Sequence, residues 1–365
     1  MKKFSRLGIF TLAMAIIILL ILPAAQALDF KISGQLNRAV LWGDNGKDDD
    51  VKFVDNDNSS TRFRFTGSNK FDDNWTVGFK WENEMQSNPS NSTDIDIGQN
   101  GDSTDVSFNE RYMDVYIEHK MFGKLSLGQG DTASNYTSEV DLSGTDVVNY
   151  ASIEDMNGGF TFRDDDDNII TSIADAYNDF DGLSRRDRIR YDTPKFGPVY
   201  FSTSYMNGQS YDFAGRFAYQ WDGIGQLAAA ASWLPADTQR DSYKQYSGSA
   251  SFLFDFGLNF TFSGAHRYET DNKNRDDPYN LYGKVGYKLD KWAFSVDYTY
   301  SENVGADGDE ATSIGAAAVF NPWESVQFYA SYRWNDLDRD SDERPAGVGN
   351  AESINSVMVG TRVKF

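Results

Sequence analysis

The stretch Trp292-Ala-Phe-Ser-Val-Asp-Tyr-Thr-Tyr300 places a large apolar residue at every second position. Successive side chains of a β-strand point to opposite sides, so the segment predicts a strand with one apolar and one polar face. Trp292 and Tyr300 close the apolar face at its two ends, a placement typical of the two interfaces between a membrane and water. The segment therefore predicts a strand that crosses a bilayer.

The same alternation recurs along the chain. It is clear at 75–82, 211–221 and 326–334, where aromatic residues again occupy alternate positions. Tyr, Phe and Trp make up 15% of all residues although the mean hydropathy is −0.56, so the aromatic side chains are spread singly through polar segments. This distribution predicts a thin apolar shell around a polar interior.

The predicted connections sort into two kinds. Short ones are predicted at 72–74, 121–123, 194–197, 222–225, 255–257, 289–291 and 321–324. Longer and mostly acidic ones are predicted at about 44–59, 87–105, 131–184, 235–242, 270–278, 302–311 and 336–352, with one short exception at 207–210. Fifteen connections make sixteen strands, and short turns at one rim with long loops at the other are typical of outer-membrane barrels. The expected fold is all-β, a 16-stranded antiparallel transmembrane β-barrel.

The start of the chain has a different character. A basic beginning precedes an apolar run at 9–22 and a small-residue motif at Ala25-Gln-Ala27. This order is that of a secretory signal peptide, and the run is too short for a comfortable transmembrane helix. We expect residues 1–27 to be cleaved and residues 28–365 to form one barrel domain.

Composition and charge argue against several classes of function. The chain has no cysteine, which excludes disulfides and thiolate metal sites, and its net charge of −21 argues against a nucleic-acid partner. Neither His119 nor His266 has a serine and an acid nearby in a recognisable arrangement, so no enzyme is expected. The acidic run 336–342 could ligate Ca²⁺, but it lacks the glycine of an EF-hand loop, and a solvated loop is the preferred interpretation. We expect no cofactor and no bound metal.

Arginines on predicted polar faces mark the inner wall. Arg62 and Arg64 alternate with Phe63 and Phe65, which places both in the lumen. The predicted basic side of a pore constriction consists of Arg62, Arg64, Arg111, Arg186, Arg188 and Arg190. Arg38 is left out because it shares its parity with apolar neighbours and would need a bulge to face inward.

The connection at 131–184 is much longer than the others. A barrel of sixteen strands leaves an aqueous channel, so we expect this third outer loop to fold inward and narrow it. Its candidate acids are Asp141, Asp146, Glu154 and Asp155. An acidic loop facing a basic wall would create a transverse field that favours small hydrophilic molecules.

Five segments, in order along the mature chain, resemble the general porins of Gram-negative bacteria. They are 32–38, 60–67, 109–111, 122–129 and 188–197. The resemblance implies a homotrimer of 16-stranded barrels, each with a pore narrowed by its third loop. By position, it assigns Arg62, Arg111 and an arginine of 186–190 to the basic cluster of that family. The loop acids have no clear counterpart to the family's acidic motif.

The last predicted strand alternates from Val357 to the terminal Phe365. It resembles the strand that the outer-membrane assembly machinery recognises, which makes that machinery an expected partner together with outer-membrane lipid. The expected function is passive diffusion of small hydrophilic solutes and ions, with a mild cation preference from the acidic loop. The alternatives are a channel specific for a sugar or an anion, and an adhesive or structural barrel with negligible conductance.

Overall fold

The computed structural model describes residues 28–95, 107–207, 210–235, 243–269, 276–340 and 349–365, so the predicted signal peptide lies outside the described residues. The strands are β1 Asp29–Asp44, β2 Asp49–Asp55, β3 Arg62–Lys70, β4 Trp75–Gln86, β5 Ser107–His119, β6 Gly123–Asp131, β7 Thr161–Arg163, β8 Ile169–Ser172, β9 Arg185–Asp192, β10 Val199–Met206, β11 Tyr211–Trp221, β12 Gly225–Leu234, β13 Tyr243–Phe254, β14 Leu258–Glu269, β15 Tyr279–Leu289, β16 Trp292–Glu302, β17 Glu310–Trp323, β18 Val326–Asp338 and β19 Ile354–Lys364. Two short helices, α1 Glu154–Asn157 and α2 Ile173–Ala176, lie in the long third connection. None of the described helices is long and apolar enough to span a membrane.

Counted over the described residues, sixteen strand positions close into one antiparallel barrel. The seam joins β1 to β19, from Gln35 opposite Lys364 to Asp44 opposite Asn355. β2 and β3 share one position, because β2 pairs with the second half of β1 and β3 with the first half. β7 and β8 form a separate hairpin. The 16-stranded barrel expected from the sequence is confirmed.

One predicted connection is wrong. Residues 44–59 were expected to form a loop, but the chain turns at 45–48 and returns as β2. The aspartates of β2 give this segment the composition of an acidic loop. Its side chains nevertheless alternate as in a strand, since Phe53 is exposed while Lys52 and Val54 are buried. The ladder is then interrupted by a single 3₁₀ turn before β3 begins.

The faces of the strands are reversed relative to a soluble protein. On β16, Phe294 and Val296 are exposed, whereas Ser295, Asp297 and Thr299 are buried. Apolar side chains therefore cover the outside of the barrel and polar ones line its inner wall. This is the arrangement that lipid outside and water inside require.

The largest apolar cluster lies between the connection 132–184 and one side of the wall. From the connection it contains Val147, Val148 and Phe160, and from the wall it contains Leu41 and Met358, all fully buried. Gly43 allows this approach, since a Cβ there would lie 2.2 Å from the Phe160 ring. The cluster thus holds the connection against β1 and β17–β19.

Candidate functional site in the barrel lumen

Two of the predicted arginines meet on the inner face of β3–β5. Arg64 Nε donates to one carboxylate oxygen of Glu82 at 2.5 Å, and Arg111 Nε donates to the other at 3.0 Å. Arg111 also donates to Glu84. The Arg64 side chain stays 39% exposed, so its charge remains in contact with water. The direct acidic partners of this cluster are thus two residues of β4.

A β-bulge brings Arg111 into this cluster. Glu82 pairs with Tyr112 and Asn83 pairs with Glu110, which leaves Arg111 as the extra residue on β5. Arg111 and Tyr112 therefore both face the lumen, although strict alternation would send one of them outward.

The sequence prediction missed Arg185, the first residue of β9. Its guanidinium lies 5.6 Å from the ring centre of Tyr112 and 5.4 Å from that of Tyr136, and its Nε lies 3.4 Å from the Asp131 carboxylate. Lys80 Nζ lies 3.1 Å from the centre of the same Tyr112 ring. Cations and aromatic faces attract each other, so these groups form a compact basic and aromatic surface beside Arg62 and Arg111.

The three arginines of 186–190 lie at the root of the long connection. Arg188 is only 3% exposed, and its guanidinium donates to both carboxylate oxygens of Asp114, at 3.1 and 2.8 Å. Arg190 donates to Asp192 at 2.7 Å. Arg186 Nε donates at 3.2 Å to a main-chain carbonyl at the end of the connection. All three guanidinium groups have fixed partners in the protein.

Two of the predicted loop acids lie away from the cluster around Arg64. Asp141 accepts a hydrogen bond from Lys284 Nζ at 2.6 Å. Burial opposes ionisation of Asp141, but the Lys284 ammonium prevails and lowers the pKa of this carboxyl. Asp146 is exposed, and its charge acts on Arg362 of β19.

The other two predicted acids, Glu154 and Asp155, belong to a larger group. Glu139, Glu154, Asp155, Asp179 and Asp181 lie close enough that their charges act on one another. We call these five residues the loop acid group. Burial raises the pKa of Glu139, Glu154 and Asp155 well above the usual range, and burial together with Asp179 raises that of Asp181 to about 7.

Polar contacts fix the connection to the wall at β16 and β18. Arg333 on β18 pairs with Asp297 on β16 at 3.1 Å, and the two side chains are 1% and 0% exposed. Asn149 of the connection joins both, since its amide donates to Asp297 and its carbonyl accepts from Arg333. The Thr145 and Ser295 hydroxyls are 2.9 Å apart. These partners lie on the buried faces of their strands, the same faces that line the lumen.

Comparison with known proteins gives a consistent result. A family model described as Gram-negative porin matches residues 13–340, whereas no curated protein sequence matches. An anion-selective porin from Comamonas acidovorans superposes with a TM-score of 0.60 at 17% identity, over 93% of this chain and 100% of that one. OmpF of Salmonella typhi, in complex with daunomycin, gives 0.59 at 16% identity, over 92% and 97%. A trimer form of OmpT of Vibrio cholerae gives 0.58 at 16%, over 93% and 100%. At such identities, the solved structures are evidence for the fold alone.

Proposed function

The chain belongs to the Gram-negative porin family, and on that premise we propose that it forms a water-filled channel for passive diffusion of small hydrophilic solutes and ions. Membership makes it an outer-membrane β-barrel of the channel type and points away from an enzyme. The observation that carries the proposal is the charged inner face of β3–β5, where Arg64 and Arg111 remain in contact with water. A closed ring of sixteen strands leaves space for an aqueous path along that face.

The connection 132–184 supplies the constriction in this proposal. Its contacts with Ser295, Asp297 and Arg333 support an inward fold, because those side chains lie on the lumen face. It packs against β1 and β15–β19 and forms hydrogen bonds with β10–β13, so the open path runs along β3–β6 and β9. Solutes would pass between the basic wall and the exposed edge of the connection.

Charge across this path sets the preference among solutes. Arg62, Arg64, Arg111 and Arg185 form the basic side, and Glu154 and Asp155 with the rest of the loop acid group form the acidic side. Ionised groups of opposite sign across a narrow gap order water and disfavour apolar molecules, and the raised pKa values of the loop acid group make its part of the charge depend on pH. Arg186, Arg188 and Arg190 serve mainly as anchors, and Asp141 holds the connection through Lys284.

Ion preference follows from the balance of these charges. Glu82 and Glu84 offset part of the basic wall, and the net charge of the whole chain is −21. We therefore propose a mild cation preference at neutral pH.

The assembly we propose is a homotrimer, the form also recorded for the OmpT structure of similar fold. Exposed tyrosines on the described strands occur from Tyr191 on β9 to Tyr332 on β18, and none occurs on β19 or β1–β6. Tyrosine is enriched where a barrel meets the lipid interface, so the sector without it suits contact between subunits. Arg38 lies in that sector, half-exposed on the outer face, and donates to Ser87.

Planar-bilayer conductance of the refolded protein under a salt gradient tests the proposal. Steps in groups of three with a small reversal potential of cation sign would agree with a trimeric, weakly cation-preferring pore. A reversal potential of anion sign would contradict the proposed cation preference but not the proposed diffusion channel. Well-folded barrels without conductance would overturn the diffusion channel in favour of an adhesive or structural barrel.

A further inference from the structure

Tyr136 is the only exposed residue of the fully described stretch 132–138, at the start of the connection 132–184. It is 41% exposed, whereas Asn135 and Thr137 on either side are buried. Its backbone φ is +62°, in the left-handed region that a bulky residue rarely adopts. Such a conformation costs free energy and persists only where the surrounding structure imposes it, so Tyr136 is a candidate for a functional role.

Hydrogen bonds on both sides of Tyr136 impose this conformation. The Asp181 carboxylate accepts from the backbone N–H of Tyr136 at 2.6 Å. Arg216 on β11 donates to the carbonyl of the preceding residue at 2.7 Å, and the Ser249 hydroxyl on β13 donates to that of the following residue at 2.7 Å. The backbone is therefore fixed to β11 and β13, while the tyrosine side chain reaches Arg185 on β9.

The hydroxyl of Tyr136 lies among three arginines of the basic wall. It accepts a hydrogen bond from a terminal nitrogen of Arg185, whose guanidinium also lies 5.4 Å from the centre of the tyrosine ring. The same side chain is near enough to Arg62 and Arg111 to act on both electrostatically. Guanidinium groups bind carboxylates and phosphates by donating to their oxygens, so the phenol oxygen takes a donor that a bound anion would use.

We propose that Tyr136 determines how strongly the pore admits solutes that carry a carboxylate or a phosphate. Its hydroxyl is an uncharged competitor for a guanidinium donor, so an anion that enters between Arg62, Arg111 and Arg185 has to displace it. A cation does not use this donor and makes no such exchange. The inference rests on the proposed diffusion channel and deepens it, since it assigns part of the cation preference to one uncharged side chain.

Current block by inorganic phosphate in planar bilayers tests this role. Tyr136→Phe keeps the ring beside Arg185 and removes only the hydroxyl. We expect phosphate to block this variant at an about fivefold lower concentration than the wild type, because one competing hydrogen bond is lost. The reversal potential in a potassium chloride gradient should also move toward anions. Tyr200→Phe is the matched control, since the Tyr200 ring centre on β10 lies 6.0 Å from the Arg216 guanidinium, and it should leave both measurements unchanged.

A second variant and the possible outcomes separate this role from a structural one. Tyr136→Asn removes the ring and suits the left-handed backbone, so it should raise single-channel conductance and strengthen phosphate block at least as much. Unchanged block in Tyr136→Phe, even with a lower unfolding temperature, would overturn the inference but not the diffusion channel. An equal change in Tyr200→Phe would overturn it as well, because any tyrosine of the lumen would then act alike. Absence of conductance in well-folded wild-type barrels would instead overturn the proposed function itself.

Discussion

Two walls of the same lumen use charge in different ways. On β3–β5, the Arg64 side chain keeps 39% of its surface exposed, while its partner Glu82 is 1% exposed and also accepts from Arg111. On β16 and β18, the Arg333 and Asp297 side chains are 1% and 0% exposed. Removing Arg64 leaves Glu82 paired with Arg111, whereas breaking the fully buried Arg333–Asp297 pair costs about 3–5 kcal/mol. The first wall can therefore present charge to passing ions, while the charged groups of the second wall hold the connection 132–184 in place.

The largest effect should come from breaking the buried pair. Asp297→Ala leaves the Arg333 guanidinium buried without its carboxylate, at a cost of about 3–5 kcal/mol. We expect proteinase K to cleave the connection 132–184 in the folded barrel and single-channel current to become noisier. Arg64→Ala is the control, because it removes a partly exposed guanidinium and leaves its partner Glu82 paired with Arg111. Equal resistance to protease in both variants would mean that the buried pair does not hold the connection.

A smaller effect should follow from removing charge on the exposed wall. Arg64→Gln should raise the ratio of cation to anion permeability by about twofold to fivefold, since unit charges a few ångströms apart in water interact by about 1 kcal/mol. The reversal potential under a salt gradient measures this ratio. Arg188→Gln, which removes a buried guanidinium, should leave the ratio unchanged while lowering thermal stability. If the reversal potential shifts equally in both variants, the exposed Arg64 and the buried Arg188 affect ion permeation alike, which contradicts the distinction between exposed and anchoring charges.

Acidity should change the preference through the loop acid group. These carboxyls have raised pKa values, with Asp181 at about 7, so they lose negative charge well above the usual range near 4. Lowering the pH from 8 to 6 should therefore move the reversal potential toward anions. Glu139→Gln removes one of these carboxyls and should reduce the shift. A reversal potential that stays constant over this range would mean that the group does not face the ion path.

The smallest effect should come from separating charge from ring contact. Arg185→Lys keeps the positive charge but loses the planar group that lies near Tyr112 and Tyr136, which is worth about 1 kcal/mol. We expect a slightly lower unfolding temperature and an unchanged reversal potential. If the selectivity changes instead, the position of this guanidinium matters to ions as well as its charge.

The strand alternation predicted the barrel because the period of two is a property of each strand by itself. The inner wall was harder to predict, since its exceptions depend on register. Arg111 and Tyr112 face the same way only because β5 carries an extra residue relative to β4. Glu82 could have been predicted, because it alternates with the apolar Trp81 and stands opposite Arg64.

The connection 132–184 shows the limit of reasoning from charge. Its acids were chosen for their charge, but Asp141 lies against Lys284, a residue of a distant strand whose position only the closed barrel determines. Its apolar residues, such as Val147 and Phe160, are the better indication in the sequence that the connection packs against the barrel wall. A loop surrounded only by water would not be stabilised by so many apolar side chains.

The seam between β1 and β19 has a consequence for the order of folding. Every other neighbouring pair of barrel strands can form as soon as its connection is made, but this seam joins the first strand to the last. Bringing such distant segments together has the largest loss of chain entropy in the molecule, and non-local pairing of this kind folds slowly. We therefore expect an open, curved sheet with two unpaired edges to precede the closed ring. The lifetime of that sheet, measurable by time-resolved gel mobility during refolding, is the period in which the chain is most exposed to aggregation.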